Sequence, residues 1–198
     1  MTQKSLKVVA LSGGLQRPSR TLVLVEDIVN GIAQALPAEA QVIELGTLVP
    51  HFGAVLYRSQ LPAAVEEALA AVESADLLVV ASPVFRGSYS GLFKHFFDFV
   101  HQDALVDKLV LLAATGGSER HALAIDHQLR PLFSFFQSHT LPIGVYGTDR
   151  DFENYRVSSE ALRERIALAV ERALPPLRAV QAGQGRLAAG RPALQAVA

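Results

Sequence analysis

Apolar residues in this chain gather in five short runs, separated by longer stretches whose apolar positions fall on one side. "LKVVALS" at 6–12 is β-rich, ends in Gly13-Gly14 and reads as a buried strand. "AQVIEL" at 40–45 predicts a second strand. "DLLVVAS" at 76–82 predicts a third, apolar on both faces, as a strand covered from two sides must be. "KLVLLAAT" at 108–115 and residues 140–147 supply the fourth and fifth. Between the first two, Leu22, Val25, Ile28, Val29, Ile32 and Leu36 share one face of a helix over 19–36, with Pro18 and Ser19 as start signals. Val65, Leu69 and Val72 repeat the pattern over 62–75, and further helices are expected over 92–101, 120–137 and 158–180. Pro50, His51 and Phe52 read as a loop. From Gln181 onward the chain is rich in Gly, Ala and Gln, so a flexible tail over 181–198 is expected behind one domain, 1–180. Strands alternating with helices argue for an α/β fold, an open parallel sheet covered on both faces.

Composition narrows the class. The 198 residues are 50% hydrophobic, enough for a single buried core. The formal net charge of −1 offers no basic stripe for nucleic acid. The absence of cysteine removes disulfides, thiolate catalysis and cysteine-ligated clusters, and fits a reducing cytoplasm. No apolar run approaches the ~20 residues needed to cross a bilayer, so no membrane role is expected. His95 and His101 are six apart, as are His121 and His127, with no carboxylate cluster beside them, so no metal site is expected.

Open parallel sheets bind ligands beyond the carboxyl ends of their strands, where strand order reverses. Three loops lie there. "SGGLQRPSRT" offers hydroxyls on Ser12, Ser19 and Thr21, cations on Arg17 and Arg20, and the free N–H groups of a helix start, a set suited to one phosphate. An ordinary strand-to-helix turn with a serine cap explains it equally well. Pro83, Val84, Phe85, Arg86, Gly87 and Tyr89 follow the third strand with an aromatic, a cation and close backbone access, though a plain surface loop would also serve. Thr115, Gly116, Gly117 and Ser118 follow the fourth, where two glycines bring backbone N–H groups near a ligand edge or simply make a tight turn. Their convergence at one sheet edge fits a planar ring system with a single phosphate. A dinucleotide would bring a G-x-G-x-x-G fingerprint, which is absent. FMN is therefore the favoured ligand.

"LSGGLQRPSRT", "SPVFRGSYSGLFKHFFD" and "ATGGS…HALAIDHQLRP" together resemble the NAD(P)H-dependent FMN reductases of two-component sulfonate monooxygenase systems, over about residues 5–178. The resemblance implies a flavodoxin-like three-layer fold with a five-stranded parallel sheet of order 2-1-3-4-5. It implies that Ser12, Arg17, Ser19, Arg20 and Thr21 hold the FMN phosphate. Pro83, Val84, Phe85, Arg86 and Tyr89 would border the ring, with Thr115, Gly116, Gly117 and Ser118 along its other edge. It also implies hydride transfer from NADH or NADPH to FMN, and delivery of reduced flavin to a flavin-dependent monooxygenase. The alkanesulfonate branch inserts a tyrosine after an aspartate in the following helix, forming a π-bulge. Here the matching dipeptide is Asp126-His127, which resembles the methanesulfonate-linked branch and makes His127 a possible modulator. The stripe Ala122, Ile125, Leu129, Leu132 and Phe136 runs past it at ordinary helical spacing.

The chemistry of such a reaction belongs to the two cofactors, so no side-chain acid or base is required. Leu92, Phe93, Phe96, Phe97, Phe99 and Val100 make the 92–100 helix apolar almost all round, so burial against a second subunit, as a homodimer or dimer of dimers, is expected. Other readings of the same pattern are an FMN-bound quinone, azo-dye or metal-oxyanion reductase, a flavodoxin-like electron carrier (normally more acidic than this chain), and a flavin-free interaction module.

Overall fold

The computed structural model describes residues 5–183. The parallel sheet is built from β1 (Leu6–Ser12), β2 (Ala38–Glu44), β3 (Leu77–Pro83) and β4 (Leu109–Gly116), with β5 (His139–Thr140) and β6 (Val145–Thr148) both pairing with β4. The order is β2-β1-β3-β4 followed by the β5/β6 position, the flavodoxin-like order expected. The alternation along β1 divides the core. Leu6, Val8 and Ala10 face α1 (Arg20–Ala35) and α6 (Glu160–Gln181), while Val9 and Leu11 face the cluster containing α3 (Ala63–Glu73), α4 (Gly91–Asp98) and α5 (Arg130–Phe135). β3 is buried along its length except at Pro83, as its two-sided apolar run requires.

Five expectations about the fold are corrected. Pro50, His51 and Phe52 are the last turn of a helix, α2 (Leu45–Phe52), rather than a loop. β2 accordingly stops at Glu44, and Phe52 is fully buried. The fifth strand is split. Val110 pairs with Thr140 but Ala113 pairs with Val145, so the outer strand carries two extra residues around Pro142, which has no N–H for the ladder. Arg130 Nη1 donates to the Leu141 carbonyl (3.1 Å) and Arg165 Nε to that of Gly144 (2.8 Å), satisfying oxygens at the break.

The single helix expected over 120–137 is three pieces: a 3₁₀ turn (Glu119–His121), a π-helical turn (Ile125–Leu129) and α5. Pro131 offers no N–H to the His127 carbonyl four residues back, and the Arg130 N–H reaches the Ile125 carbonyl five back. The wider turn keeps Ile125 and Leu129 buried while His127 stays exposed.

The fourth correction concerns α4. Phe93, Phe96 and Phe97 are buried within one chain, packed on one another and on Phe133, while Lys94 and Asp98 pair on the outer side. The helix needs no second subunit to cover its phenylalanines. At the C-terminus, Gln181 closes α6 instead of opening a tail; the remainder of the expected tail, 184–198, lies outside the described residues. No helix among the described residues is long and apolar enough to cross a membrane.

Candidate functional site

A cavity of about 820 Å³ opens beyond the carboxyl ends of β1, β3, β4 and β6. Its first wall is Gly14, Leu15, Gln16, Pro18, Ser19, Arg20 and Thr21. Ser19 caps α1, its hydroxyl accepting from the Leu22 N–H (3.2 Å). A Cβ on Gly14 would lie 2.5 Å from the Ser19 hydroxyl and displace it from its capping position. Thr21 is buried, and its hydroxyl meets that of Thr115 at 2.6 Å, tying the start of α1 to the end of β4.

The second wall is Pro83, Val84 and Phe85 with Ser90, Gly91 and Leu92, where Ser90 caps α4 through the Phe93 N–H. Phe85 and Ser88 exchange backbone hydrogen bonds (2.7 and 3.2 Å) across a two-residue turn, Arg86-Gly87, with φ of 53° and 86°. Positive φ at both positions is the twist-matched tight turn. It leaves Phe85 62% exposed at the cavity mouth, with the Arg86 guanidinium 5.5 Å from its ring centre.

The third wall is Thr115, Gly116 and Gly117. A Cβ on Gly116 would lie 2.2 Å from the Tyr146 hydroxyl, which donates to the Ser118 carbonyl (2.7 Å), whereas one on Gly117 would meet nothing within 4 Å. Tyr146 is thus a buttress behind the glycine pair. Burial, then the charge of Asp149, raises the pKa of its phenol and keeps it protonated as a donor.

Of the residues singled out in the sequence, Ser19, Arg20, Thr21, Pro83, Val84, Phe85, Thr115, Gly116 and Gly117 meet around this cavity. Ser12 does not line it; it is buried beneath, at the end of β1. Arg17 turns away to Glu44, with Nε donating to Oε2 at 2.7 Å and Nη2 to Oε1, an ion pair that holds the Glu44 carboxyl below its usual range. Arg86 and Gly87 form the rim turn. Tyr89 packs on Phe93 and lines a neighbouring depression, which it shares with His127. Ser118 contributes its carbonyl to Tyr146. No group of three His, Asp or Glu suited to a metal occurs among the described residues.

Gly14, Leu15, Gln16, Pro18, Ser90, Gly91 and Leu92 lie in or beside the loops singled out, whereas Asp149 and Tyr155 come from a fourth segment that was not foreseen. Both follow β6. Asp149 opens a 3₁₀ turn (Asp149–Asp151), and Tyr155 sits at the tip of a hairpin between β7 (Phe152–Glu153) and β8 (Arg156–Val157), with Asn154 and Tyr155 at positive φ. The segment is firmly built: the Thr148 N–H and hydroxyl both donate to Asp151 (2.7 Å each). Burial alone would raise the Asp151 pKa; these bonds and one from Ser159 outweigh it and hold the pKa low. The long polar stretch "GTDRDFENYRV" after the last strand was the available signal, since it leaves the same sheet edge as the other three loops.

Comparison with known proteins bears on this geometry. A family model described as NADPH-dependent FMN reductase matches residues 6–153. The chain is 60% identical over 172 residues to the NADH-dependent FMN reductase SfnF of Pseudomonas fluorescens, covering 87% of this chain and 92% of that one. It is also 60% identical over 169 residues to an FMN reductase (NADPH) of Pseudomonas aeruginosa, covering 85% and 91%. Among solved structures it resembles an oxidoreductase from Corynebacterium diphtheriae at 32% identity and a TM-score of 0.75, covering 90% and 98%. The apo form of an NADH:FMN oxidoreductase matches at 29% identity and 0.74, covering 84% and 87%.

Proposed function

This chain belongs to the NADPH-dependent FMN reductase family and is an NAD(P)H-dependent FMN reductase; from that premise we propose how its cavity holds the two substrates and what the product supplies. FMN would be held with its phosphate at the start of α1, where Ser19, Arg20, Thr21 and the N–H groups of the first turn converge. Its ring system lies between the apolar wall of Pro83, Val84 and Phe85 and the backbone of Gly116 and Gly117. The volume of about 820 Å³ is in the range of small-molecule sites and leaves room for a second ring. The observation that carries this reading is the joining, across one cavity, of a capped helix start to a glycine pair backed by Tyr146 at Gly116 and open at Gly117.

FMN, when bound, supplies the hydride-accepting ring. The chain's part is to stack that ring against a nicotinamide at about 3–3.5 Å and to aim backbone N–H groups near Gly117 at the ring edge. Phe85 gives the second ring an apolar platform. Relatives of equal identity are named for NADH and for NADPH, so either nucleotide is a candidate donor. Arg58 is held by Glu66 and Glu73, Arg17 by Glu44 and Arg20 by Asp149, whereas Arg86 has no ion-pair partner among the described residues. Arg86 is therefore the proposed contact for the nucleotide's phosphates.

Reduced FMN then passes to a flavin-dependent monooxygenase in sulfonate sulfur assimilation, within the cytoplasm. This part of the reading rests on the sequence resemblance, including Asp126-His127. Steady-state oxidation of NADH and NADPH, with and without added FMN, tests it. Saturation by added FMN from a nearly colourless protein is expected. A yellow protein indifferent to added FMN but active on quinone would replace this reading with that of a quinone reductase with tightly bound FMN.

A further inference from the structure

The cavity holds a carboxylate where its proposed ligand brings an anion. Asp149 lines the same end as Arg20, and its Oδ1 accepts from Arg20 Nη1 at 2.9 Å. The centre of the Tyr155 ring lies 5.8 Å from the guanidinium carbon. Asp149 has no part in capping its own 3₁₀ turn, which is the work of Thr148 and Asp151. Among the described residues its side chain hydrogen-bonds Arg20, 129 positions away along the chain.

The electrostatics at this end are then simple. A helix start is worth about +0.5 charge. Arg20 brings the total to about +1.5, and Asp149 returns it to about +0.5. A phosphate monoester carries about −1.5 to −2 near pH 7. Asp149 therefore cancels most of the attraction that the first wall offers, and competes for a guanidinium edge that the phosphate would use.

We propose that Asp149 is a positioning residue that sets the affinity for FMN by competing with its phosphate for Arg20, keeping binding weak enough for the flavin to exchange as a substrate. The inference rests on the FMN reading given above. The pair is about half exposed, so the competition amounts to no more than a surface ion pair plus the removed repulsion.

The test is flavin binding by fluorescence quenching, with FMN and with riboflavin, which has the ring and ribityl chain but no phosphate. Asp149→Asn is expected to tighten FMN about three- to tenfold and to leave riboflavin unchanged. In the Arg20→Ala background the same substitution should change FMN affinity far less, because the competed group is gone. Weaker FMN binding by Asp149→Asn, or equal shifts for FMN and riboflavin, would overturn the proposal and make Asp149 a ribityl contact or a purely structural residue. Wild-type protein binding neither flavin would instead overturn the FMN reading, and this inference with it.

Discussion

Thr21 and Thr115 are the most consequential pair of side chains at the site's floor. Both are buried, one at the start of α1 and one at the end of β4, and their hydroxyls bond each other. Removing one hydroxyl strands the other. Thr115→Val is expected to cost about 1–3 kcal/mol, while the double variant Thr21→Val/Thr115→Val should cost less than the sum of the two single changes. Urea unfolding of all four proteins measures this, and strict additivity would show that the hydroxyls are not coupled. At the rim, Arg86→Ala should raise KM for the reduced nucleotide about fivefold, the scale of one exposed charged contact, with kcat little changed. An unaltered KM for both NADH and NADPH would remove Arg86 from the nucleotide site.

At the scale of elements, the helical layer opposite α1 and α6 is fastened by one arginine. Arg58 Nη1 donates to Glu73 Oε1 (2.5 Å) and to the Phe99 carbonyl (3.0 Å), and Nε and Nη2 donate to Glu66. This joins α3 to the end of α4. Burial alone would raise the Glu73 pKa. The Arg58 bonds, the His101 N–H and the nearby positive charges outweigh it, and the net direction is downward. A carboxylate whose folded pKa is depressed contributes stability that is full above its unfolded value, about 4.3, and is lost as pH falls through the folded one. Glu73→Gln should therefore melt below wild type at neutral pH, and the gap should close in acid below that range. Arg58→Ala should cost about 1–2 kcal/mol, seen as roughly 2–8 °C in Tm. A gap between wild type and Glu73→Gln that persisted unchanged at acid pH would rule out the linkage.

For the whole molecule, the sheet order places the ends of β1, β3, β4 and β6 at one edge, so four loops distant in sequence converge on one cavity. The phenylalanines of α4 are covered from within, so the proposal of a homodimer or dimer of dimers now rests on the family resemblance alone. Light scattering at micromolar concentration is expected to give a dimer or tetramer mass; a mass near 21.3 kDa would overturn it.

Much of this was legible in the chain itself. Short apolar runs alternating with helical patterns read as covered parallel strands, which located β1, β3 and β4, and the rule that ligands bind at their carboxyl ends pointed to three of the four loops that line the cavity. The glycines and hydroxyls at those ends singled out Ser19, Thr21, Gly116 and Gly117, which line the cavity. Other features needed the tertiary structure. Local periodicity does not say which side of a helix faces inward, so the phenylalanines of α4 looked exposed to a partner when their own sheet and Phe133 cover them. Hydrophobic spacing is nearly the same for α and π turns, so the turn at Ile125–Leu129 emerged only from backbone pairing against Pro131. The choice of partner for each arginine was likewise invisible. Arg17 and Arg20 stand three apart with the same chemistry, yet the end of β2 places Glu44 beside one, and the end of β6 brings Asp149 to the other. A charge's role is set by the counter-charge that folding delivers to it, and that pairing lies 27 residues away in one case and 129 in the other.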